Sequence, residues 1–125
     1  MMRAIVLQIF LVTVFFAAAP SFAQSGSCHH PPMPWRYGNS FSFTWYVAAG
    51  GVCTSTNRHP ENISRIEITA QPSHGIAGKN GISGIAYRPT PGYRGSDAFT
   101  YIVTSKVESR FQGQIATVNV FVIVE

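Results

Sequence analysis

Acidic side chains are scarce in this sequence of 125 residues, which carries nine lysines and arginines but only five aspartates and glutamates. Asp97 is the single aspartate, and the four glutamates are well separated along the chain. A calcium site takes about six to eight oxygen ligands, usually with several carboxylates among them. Five well-separated carboxylates are too few for a typical calcium site, and we expect no calcium binding.

Sequence motifs of enzymes are also missing. The chain has no G-x-S-x-G, H-E-x-x-H, P-loop or dinucleotide-binding pattern, so we expect no catalytic residues, no cofactor and no enzyme. The net charge of +4 comes from cations that are scattered along the chain. Nucleic-acid binding usually requires clustered lysines and arginines, so we expect no nucleic-acid partner.

The amino-terminal residues have the pattern of a secretory signal peptide. Arg3 precedes an apolar run over residues 4–19, and the cleavage pattern Ser-Phe-Ala follows at 21–23. We therefore predict a signal peptide over residues 1–23, cleaved after Ala23, and a secreted or periplasmic protein. The run is too short to span a bilayer comfortably, and no second apolar stretch of about 20 residues follows, so we expect no membrane span in the mature chain.

Two cysteines, Cys28 and Cys53, remain in the mature chain. An even pair in an exported domain favours a disulfide. A metal site is the alternative, because His29 and His30 adjoin Cys28 and His59 lies near Cys53, but these spacings do not match the tight pairs of zinc sites. A lipid anchor on Cys28 is a further alternative, and it lacks the large aliphatic residue expected three positions before the cysteine.

The apolar pattern of the mature chain is that of strands. No segment shows helical periodicity, while glycine, proline, serine and threonine interrupt the chain every few residues. Alternation of apolar and polar residues over 41–47, 65–70 and 117–124 predicts strands. Asn80-Gly81 predicts a tight hairpin turn, and residues 90–93, Thr-Pro-Gly-Tyr, predict a type II turn.

These elements predict one all-β domain over residues 24–125, a two-sheet β-sandwich of about seven strands. The strand at 117–124 is apolar on both faces, so we expect it inside its sheet or beneath the N-terminal extension rather than at a bare edge. The N-terminal extension before the first long strand would be held to the domain by the disulfide.

Four stretches of the sequence resemble the bacterial cadherin-like, immunoglobulin-like repeat modules. They are QPSHG (71–75), NG (80–81), AYRPTPGYRGSDAFTYIVTS (86–105) and ATVNVFVIV (116–124), within a resemblance that covers about residues 63–124. The resemblance implies an immunoglobulin-like antiparallel sandwich and an adhesive or structural role without catalysis. The motif positions that it implies to be structural are His74, Gly75, Tyr87, Pro89, Gly92, Gly95, Asp97, Phe99 and Tyr101.

The chain departs from this family where its relatives hold calcium. The early Asn-Asp segment is replaced by residues 47–57, and Thr104 or Ser105 stands where an aspartate is usual. The module also has its own signal peptide and an N-terminal extension in place of a neighbouring repeat. We expect the disulfide and the aromatic residues at 35–46 to supply the stabilisation that adjacent repeats would otherwise give.

Asp97 is expected to be a structural residue rather than a ligand or a catalyst. It follows Gly95-Ser96 and precedes Phe99, so its carboxylate can accept hydrogen bonds from backbone amides and fix the entry of the chain into the strand. His74 is expected to pack against or cap its turn in the same region.

Aromatic residues are concentrated between positions 35 and 46. Alternation predicts that Phe41, Phe43 and Trp45 enter the core. Trp35, Tyr37 and Tyr46 are the candidates for partner binding, since exposed rings beside Arg36 could stack on sugars or dock a protein.

We therefore expect a non-catalytic secreted module that binds a protein partner or a cell-surface glycan. The alternative is a small periplasmic metal-binding protein that uses His29 and His30. An enzyme inhibitor that presents the loop at 105–112 remains a third interpretation.

Overall fold

The computed structural model describes residues 28–125, so the predicted signal peptide lies outside the described residues. Strands occupy most of this part of the chain, and the one helical element is a 3₁₀ turn at Pro60–Asn62. The eight strands are β1 (Cys28–His29), β2 (Ser40–Val47), β3 (Cys53–Thr56), β4 (Ile63–Ala70), β5 (Gly75–Asn80), β6 (Gly84–Pro89), β7 (Gly95–Ser105) and β8 (Ile115–Val124).

The strands form two sheets, one with the order β1-β2-β8-β7-β4 and one with the order β3-β6-β5. The prediction of an all-β chain is confirmed, and the two sheets are consistent with a β-sandwich. β8 is the central strand of the larger sheet, as its apolar character on both faces predicted. No helix within residues 28–125 has the length and apolar character needed to cross a bilayer.

The prediction of a wholly antiparallel fold is wrong for one strand pair. β2 and β8 run parallel, with Ser40 opposite Thr117 and Val47 opposite Val124. The proline-rich segment before β2 brings the chain to the start of β8, where the Gly38 amide donates to the Ile115 carbonyl at 2.7 Å. From that point β2 can pair with β8 only in the same direction. Residues 28–125 hold eight strands, against about seven predicted, and β1 has only two residues.

The core lies between the two sheets. Trp45, Tyr87, Phe99 and Tyr101 are its largest buried side chains. The Phe99 ring meets Trp45 edge-on at 5.5 Å and stacks on Tyr87 at 5.7 Å, measured between ring centroids.

The predicted core position of Phe41 and Phe43 is only partly correct, because both rings are half-buried. β1 pairs with β2 only opposite Tyr46 and Val47. The half of β2 that carries the two phenylalanines therefore has no strand neighbour on its other side within residues 28–125. Their rings stack on each other, with centroids 6.4 Å apart.

The two predicted turns both form, one with a different length. Gly92 has φ of 82° and the Tyr93 amide donates to the Thr90 carbonyl at 3.0 Å, as a type II turn requires. The hairpin between β5 and β6 closes at Asn80 opposite Gly84, so its loop has three residues rather than a tight turn at Asn80-Gly81. A Cβ on Gly84 would clash with the Asn80 carbonyl oxygen, so the loop can close only on a glycine.

The disulfide predicted between Cys28 and Cys53 is confirmed, with the two Cα atoms 5.0 Å apart. Cys28 belongs to β1 of the larger sheet and Cys53 to β3 of the smaller one, so the bond joins the two sheets. Closing a loop of 25 residues stabilises the fold by about 3–4 kcal/mol in the chain-entropy treatment.

Candidate functional site: an aromatic cleft beside the smaller sheet

A cleft of about 970 Å³ opens along β3, at the edge of the three-stranded sheet. Its walls come from three parts of the chain: residues 30–39 before β2, residues 54–62 from β3 to the start of β4, and residues 110–114 in the loop between β7 and β8. The His30 ring lies 3.1 Å from the Thr54 carbonyl oxygen, which places the N-terminal segment against β3. We call this feature the aromatic cleft.

Trp35 is held in the aromatic cleft by a buried amide. Its indole Nε1 donates to Oδ1 of Asn57 at 2.9 Å. Asn57 is only 7% exposed, and both its side-chain Nδ2 and its backbone amide donate to the Ser83 carbonyl at 2.8 Å. The indole is thereby connected to the loop of the β5–β6 hairpin, so its orientation is fixed before any ligand arrives.

Tyr37 continues the aromatic wall from Trp35 to the β7–β8 loop. The two rings meet edge-on with centroids 5.0 Å apart, and the Phe111 ring lies 4.7 Å from Tyr37 on the other side. Burial raises the pKa of Tyr37, so the phenol is neutral near pH 7. Its hydroxyl is enclosed and has no hydrogen-bond partner within residues 28–125.

The charged residues of the aromatic cleft are all basic. Arg36, Arg58 and Arg110 line it, and no aspartate or glutamate of residues 28–125 does. The Arg110 guanidinium lies 4.8 Å from the centroid of the Phe111 ring, a cation–π distance.

His59 and Glu61 form an exposed pair near the aromatic cleft, with Nδ1 and Oε1 3.2 Å apart. The pKa of Glu61 is lowered, chiefly by a hydrogen bond from its own backbone and also by His59 and Lys106. Glu61 is the carboxylate nearest in sequence to the lining residues, and it is already paired with His59, which lines the cleft.

Backbone strain is concentrated at the walls of the aromatic cleft. Within residues 28–125, His59 and Gln112 are the non-glycine residues with positive φ, at 56° and 52°. His59 lines the cleft, and Gln112 follows Phe111 in the β7–β8 loop. Such conformations cost about 1–3 kcal/mol each and are commonest at functional sites.

The three aromatic candidates from the sequence do not form one site. Trp35 and Tyr37 meet in the aromatic cleft beside Arg36, as the sequence suggested. Tyr46 is 41% exposed on the outer face of the five-stranded sheet, opposite Ile123 in the ladder and close to the 53% exposed Phe121. Tyr46 therefore belongs to a separate surface.

Sequence reasoning missed Asn57, Arg58, Arg110 and Phe111 as members of the site. They reach the cleft from loops that lie far from Trp35 in sequence, and no motif or spacing connects these loops. The only signal was the Arg-Phe pair inside a loop that, apart from Val107 and Gly113, is polar.

Asp97 makes the hydrogen bonds expected of a structural residue. Its Oδ1 accepts from the amides of Ser73 at 3.0 Å and Ala98 at 2.9 Å, and its Oδ2 accepts from the His74 amide at 3.1 Å and the Tyr87 hydroxyl at 2.8 Å. The carboxylate thus links the turn before β5 to β6 and to its own strand. Burial first, and then the hydrogen bond to Asp97, raises the pKa of Tyr87.

The other motif residues surround this network or belong to the core. A Cβ on Gly75 would lie 2.6 Å from the Arg88 carbonyl oxygen, so the close approach of β5 and β6 requires glycine there. The His74 ring stacks on Tyr93 with centroids 4.1 Å apart. None of the motif residues lines the aromatic cleft. The remaining ones are Pro89, Gly92, Gly95, Phe99 and Tyr101.

The two adjacent histidines of the N-terminal segment lie in different surroundings. His29 is near Tyr46 on the outer sheet face, with ring centroids 6.3 Å apart, whereas His30 stacks over Trp45 at 5.1 Å. Both cysteines are consumed by the disulfide. Within the described part of the chain, no group of three His, Cys, Asp or Glu side chains is arranged to hold a metal ion.

No protein-family model matches this chain, and no curated protein matches it either. The resemblance to cadherin-like modules therefore remains a proposal that depends on the residues quoted above.

Proposed function

We propose that this protein is a non-catalytic, exported binding module that holds a glycan against Trp35, Tyr37 and Phe111. The observation that carries the proposal is the continuous row of three rings along an open cleft, with Trp35 fixed by the buried Asn57. The cleft volume lies within the range of about 300–1,000 Å³ that is usual for small-ligand sites.

Sugar rings present flat apolar faces edged by hydroxyl groups, so they suit a site that combines aromatic rings with polar neighbours. Trp35, Tyr37 and Phe111 are each half-buried, which leaves part of every ring accessible. A ring that is already fixed loses little conformational entropy when it packs on a ligand, and this supports Trp35 as the principal contact.

The lining of the cleft favours binding over cleavage. Most glycoside hydrolases require two carboxylates on either side of the scissile bond. In the part of the chain that the structure describes, no carboxylate lines the aromatic cleft, and the buried Asp97 accepts four hydrogen bonds elsewhere. The proposal therefore assigns the chain a role in attachment to a surface rather than in degradation.

Two further features support the finer parts of the proposal. The disulfide fits folding in an oxidising compartment, in agreement with export to the periplasm or beyond the cell. The Asp97 network fits an immunoglobulin-like, cadherin-like module. So do the antiparallel pairs, which are β3–β6, β5–β6, β4–β7 and β7–β8. The parallel β2–β8 pair is a variation on that arrangement.

The experiment is a binding screen of the full chain, exported so that its disulfide forms, against immobilised surface oligosaccharides. We expect retention on at least one saccharide, with Trp35→Ala and Phe111→Ala abolishing it. Tyr46→Ala is the matched control, because it removes an exposed ring outside the cleft and should bind normally. Phe111→Ala keeps the test decisive if Trp35→Ala fails to fold, which circular dichroism will report.

Two results would overturn the proposal. One is the absence of binding to any saccharide by the folded protein. The other is capture of a protein partner that is lost on Tyr46→Ala but not on Phe111→Ala, since that would assign recognition to the outer sheet face.

A further inference from the structure

Positive charge converges on the aromatic cleft from separate parts of the chain. Arg36 lies between Trp35 and Tyr37 in sequence, Arg58 follows β3, and Arg110 belongs to the β7–β8 loop. These positions are distant in sequence, so the fold itself brings them together. A concave surface lined by one sign of charge concentrates the potential and attracts ligands of the opposite sign.

The three arginines have no carboxylate partners within residues 28–125. The ion pairs in this part of the chain are His59–Glu61 and Arg65–Glu67, at 3.2 and 3.9 Å. Arg36, Arg58 and Arg110 are all exposed, so their guanidinium groups are accessible at the cleft, where that of Arg110 also lies 4.8 Å from the Phe111 ring. A guanidinium donates two parallel hydrogen bonds to a carboxylate, sulfate or phosphate, and this geometry favours anions over neutral hydroxyl groups.

We infer that the ligand of the aromatic cleft is an anionic glycan, whose sugar faces pack on the aromatic row while its acidic groups bind the three arginines. This inference rests on the proposed function and specifies the class of its ligand. An acidic peptide would satisfy the arginines but would leave the aromatic row without flat partners. A neutral glycan would leave three guanidinium groups unpaired.

The test compares one neutral oligosaccharide with carboxylated and sulfated forms of the same backbone by isothermal titration calorimetry. We expect the full-length exported protein to bind an acidic form about 10-fold more tightly, the size of one charge-assisted hydrogen bond. The difference in affinity between the acidic and neutral forms should become smaller as the salt concentration is raised, because the arginines and the acidic groups of the glycan both lie near solvent. The carboxylated and sulfated arms identify which acidic group is preferred.

Charge-removing variants locate the effect. Arg36→Gln, Arg58→Gln and Arg110→Gln should each weaken binding of the acidic form several-fold and leave binding of the neutral form unchanged. Arg88→Gln is the matched control, because Arg88 is an exposed arginine on β6 that does not line the cleft. Loss of binding by Arg88→Gln to the same extent would show a general charge effect and overturn the inference.

The remaining outcomes separate the two proposals. Equal affinity for neutral and acidic forms overturns the anionic assignment and leaves the glycan module intact. Failure of every saccharide to bind overturns both. Inorganic sulfate or an acidic peptide that binds as tightly as the acidic saccharide would assign the arginines to anions in general and refute the glycan class.

Discussion

Replacement of Asp97 by alanine removes the acceptor of four hydrogen bonds at once. The donors are the amides of Ser73, His74 and Ala98 and the hydroxyl of Tyr87, all within 3.1 Å of the carboxylate oxygens. The residue is 8% exposed, so water can replace few of these bonds. Hydrogen bonds to charged groups are worth about 1.5–3 kcal/mol each, but bonds that share one acceptor are not additive.

We therefore expect Asp97→Ala to lower the free energy of unfolding by about 3–5 kcal/mol. At about 4–8 °C per kcal/mol for a domain of this size, the Tm should fall by roughly 15 °C or more. Differential scanning calorimetry at neutral pH with the disulfide intact measures both quantities.

Two comparisons make the result specific to the network. Glu67→Ala removes an exposed carboxylate whose ion pair with Arg65 is long, at 3.9 Å, so its effect should stay within about 0.5 kcal/mol. Tyr87→Phe removes one of the four donors and should cost less than Asp97→Ala, with coupling between the two in a double-mutant cycle. A Tm for Asp97→Ala within 2 °C or so of the parent protein would refute the structural role.

Three further predictions concern other parts of the fold. Gly75→Ala should lower the free energy of unfolding by at least about 2 kcal/mol in urea titrations, because a Cβ there lies 2.6 Å from the Arg88 carbonyl; an unchanged midpoint would contradict this packing. Joint replacement of Cys28 and Cys53 by serine should cost about 3–4 kcal/mol, and a reducing agent should then have no further effect on the melting curve. Burial raises the pKa of the Tyr101 phenol above its ordinary value of 10.0, so the stability that its neutral form contributes is complete below pH 10 and is lost as the pH rises above it. Ultraviolet titration near 295 nm should therefore show at least one phenol that ionises only with unfolding, and full ionisation of a folded chain near pH 10 would refute the burial.

The parts of the fold that the sequence predicted are those set by local alternation. Val118, Val120 and Val122 repeat with period two and are buried, and the apolar Phe121 and Ile123 on the other face correctly indicated an interior strand. The type II turn at Pro91-Gly92 followed from proline and glycine chemistry alone. The disulfide followed from an even pair of cysteines in a chain with a predicted signal peptide.

The parts that it did not predict depend on long-range geometry. The parallel direction of β2 beside β8 depends on the proline-rich segment before β2, which ends next to the start of β8. Alternation of apolar and polar residues is the same for parallel and antiparallel partners, so it could not predict this direction. The hairpin loop between β5 and β6 has three residues because Gly84 can pair opposite Asn80 without a clash. The Asn80-Gly81 pair alone does not indicate this longer loop.

The candidate site shows the same limit. Trp35 and Tyr37 could be nominated because they are close in sequence to each other and to an arginine. Asn57 and Phe111 could not be nominated from the sequence. Asn57 lies 22 positions after Trp35, and Phe111 lies much further along the chain. Tyr46 was grouped with Trp35 because the two are close in sequence. The alternation of β2, however, places the Tyr46 side chain on the outer face of the larger sheet, away from the core.

The most direct test of the central claim uses the two tryptophans of the chain as internal probes. Each indole N–H gives its own signal in a nitrogen–proton correlation spectrum: Trp35 donates to Asn57 in the aromatic cleft, and Trp45 is completely buried in the core beside Met33. During titration with an acidic oligosaccharide, the account predicts that the Trp35 signal shifts in a saturable way and by more than the Trp45 signal, whose N–H is buried behind the cleft residue Met33. A bound saccharide that leaves the Trp35 signal unmoved would contradict it.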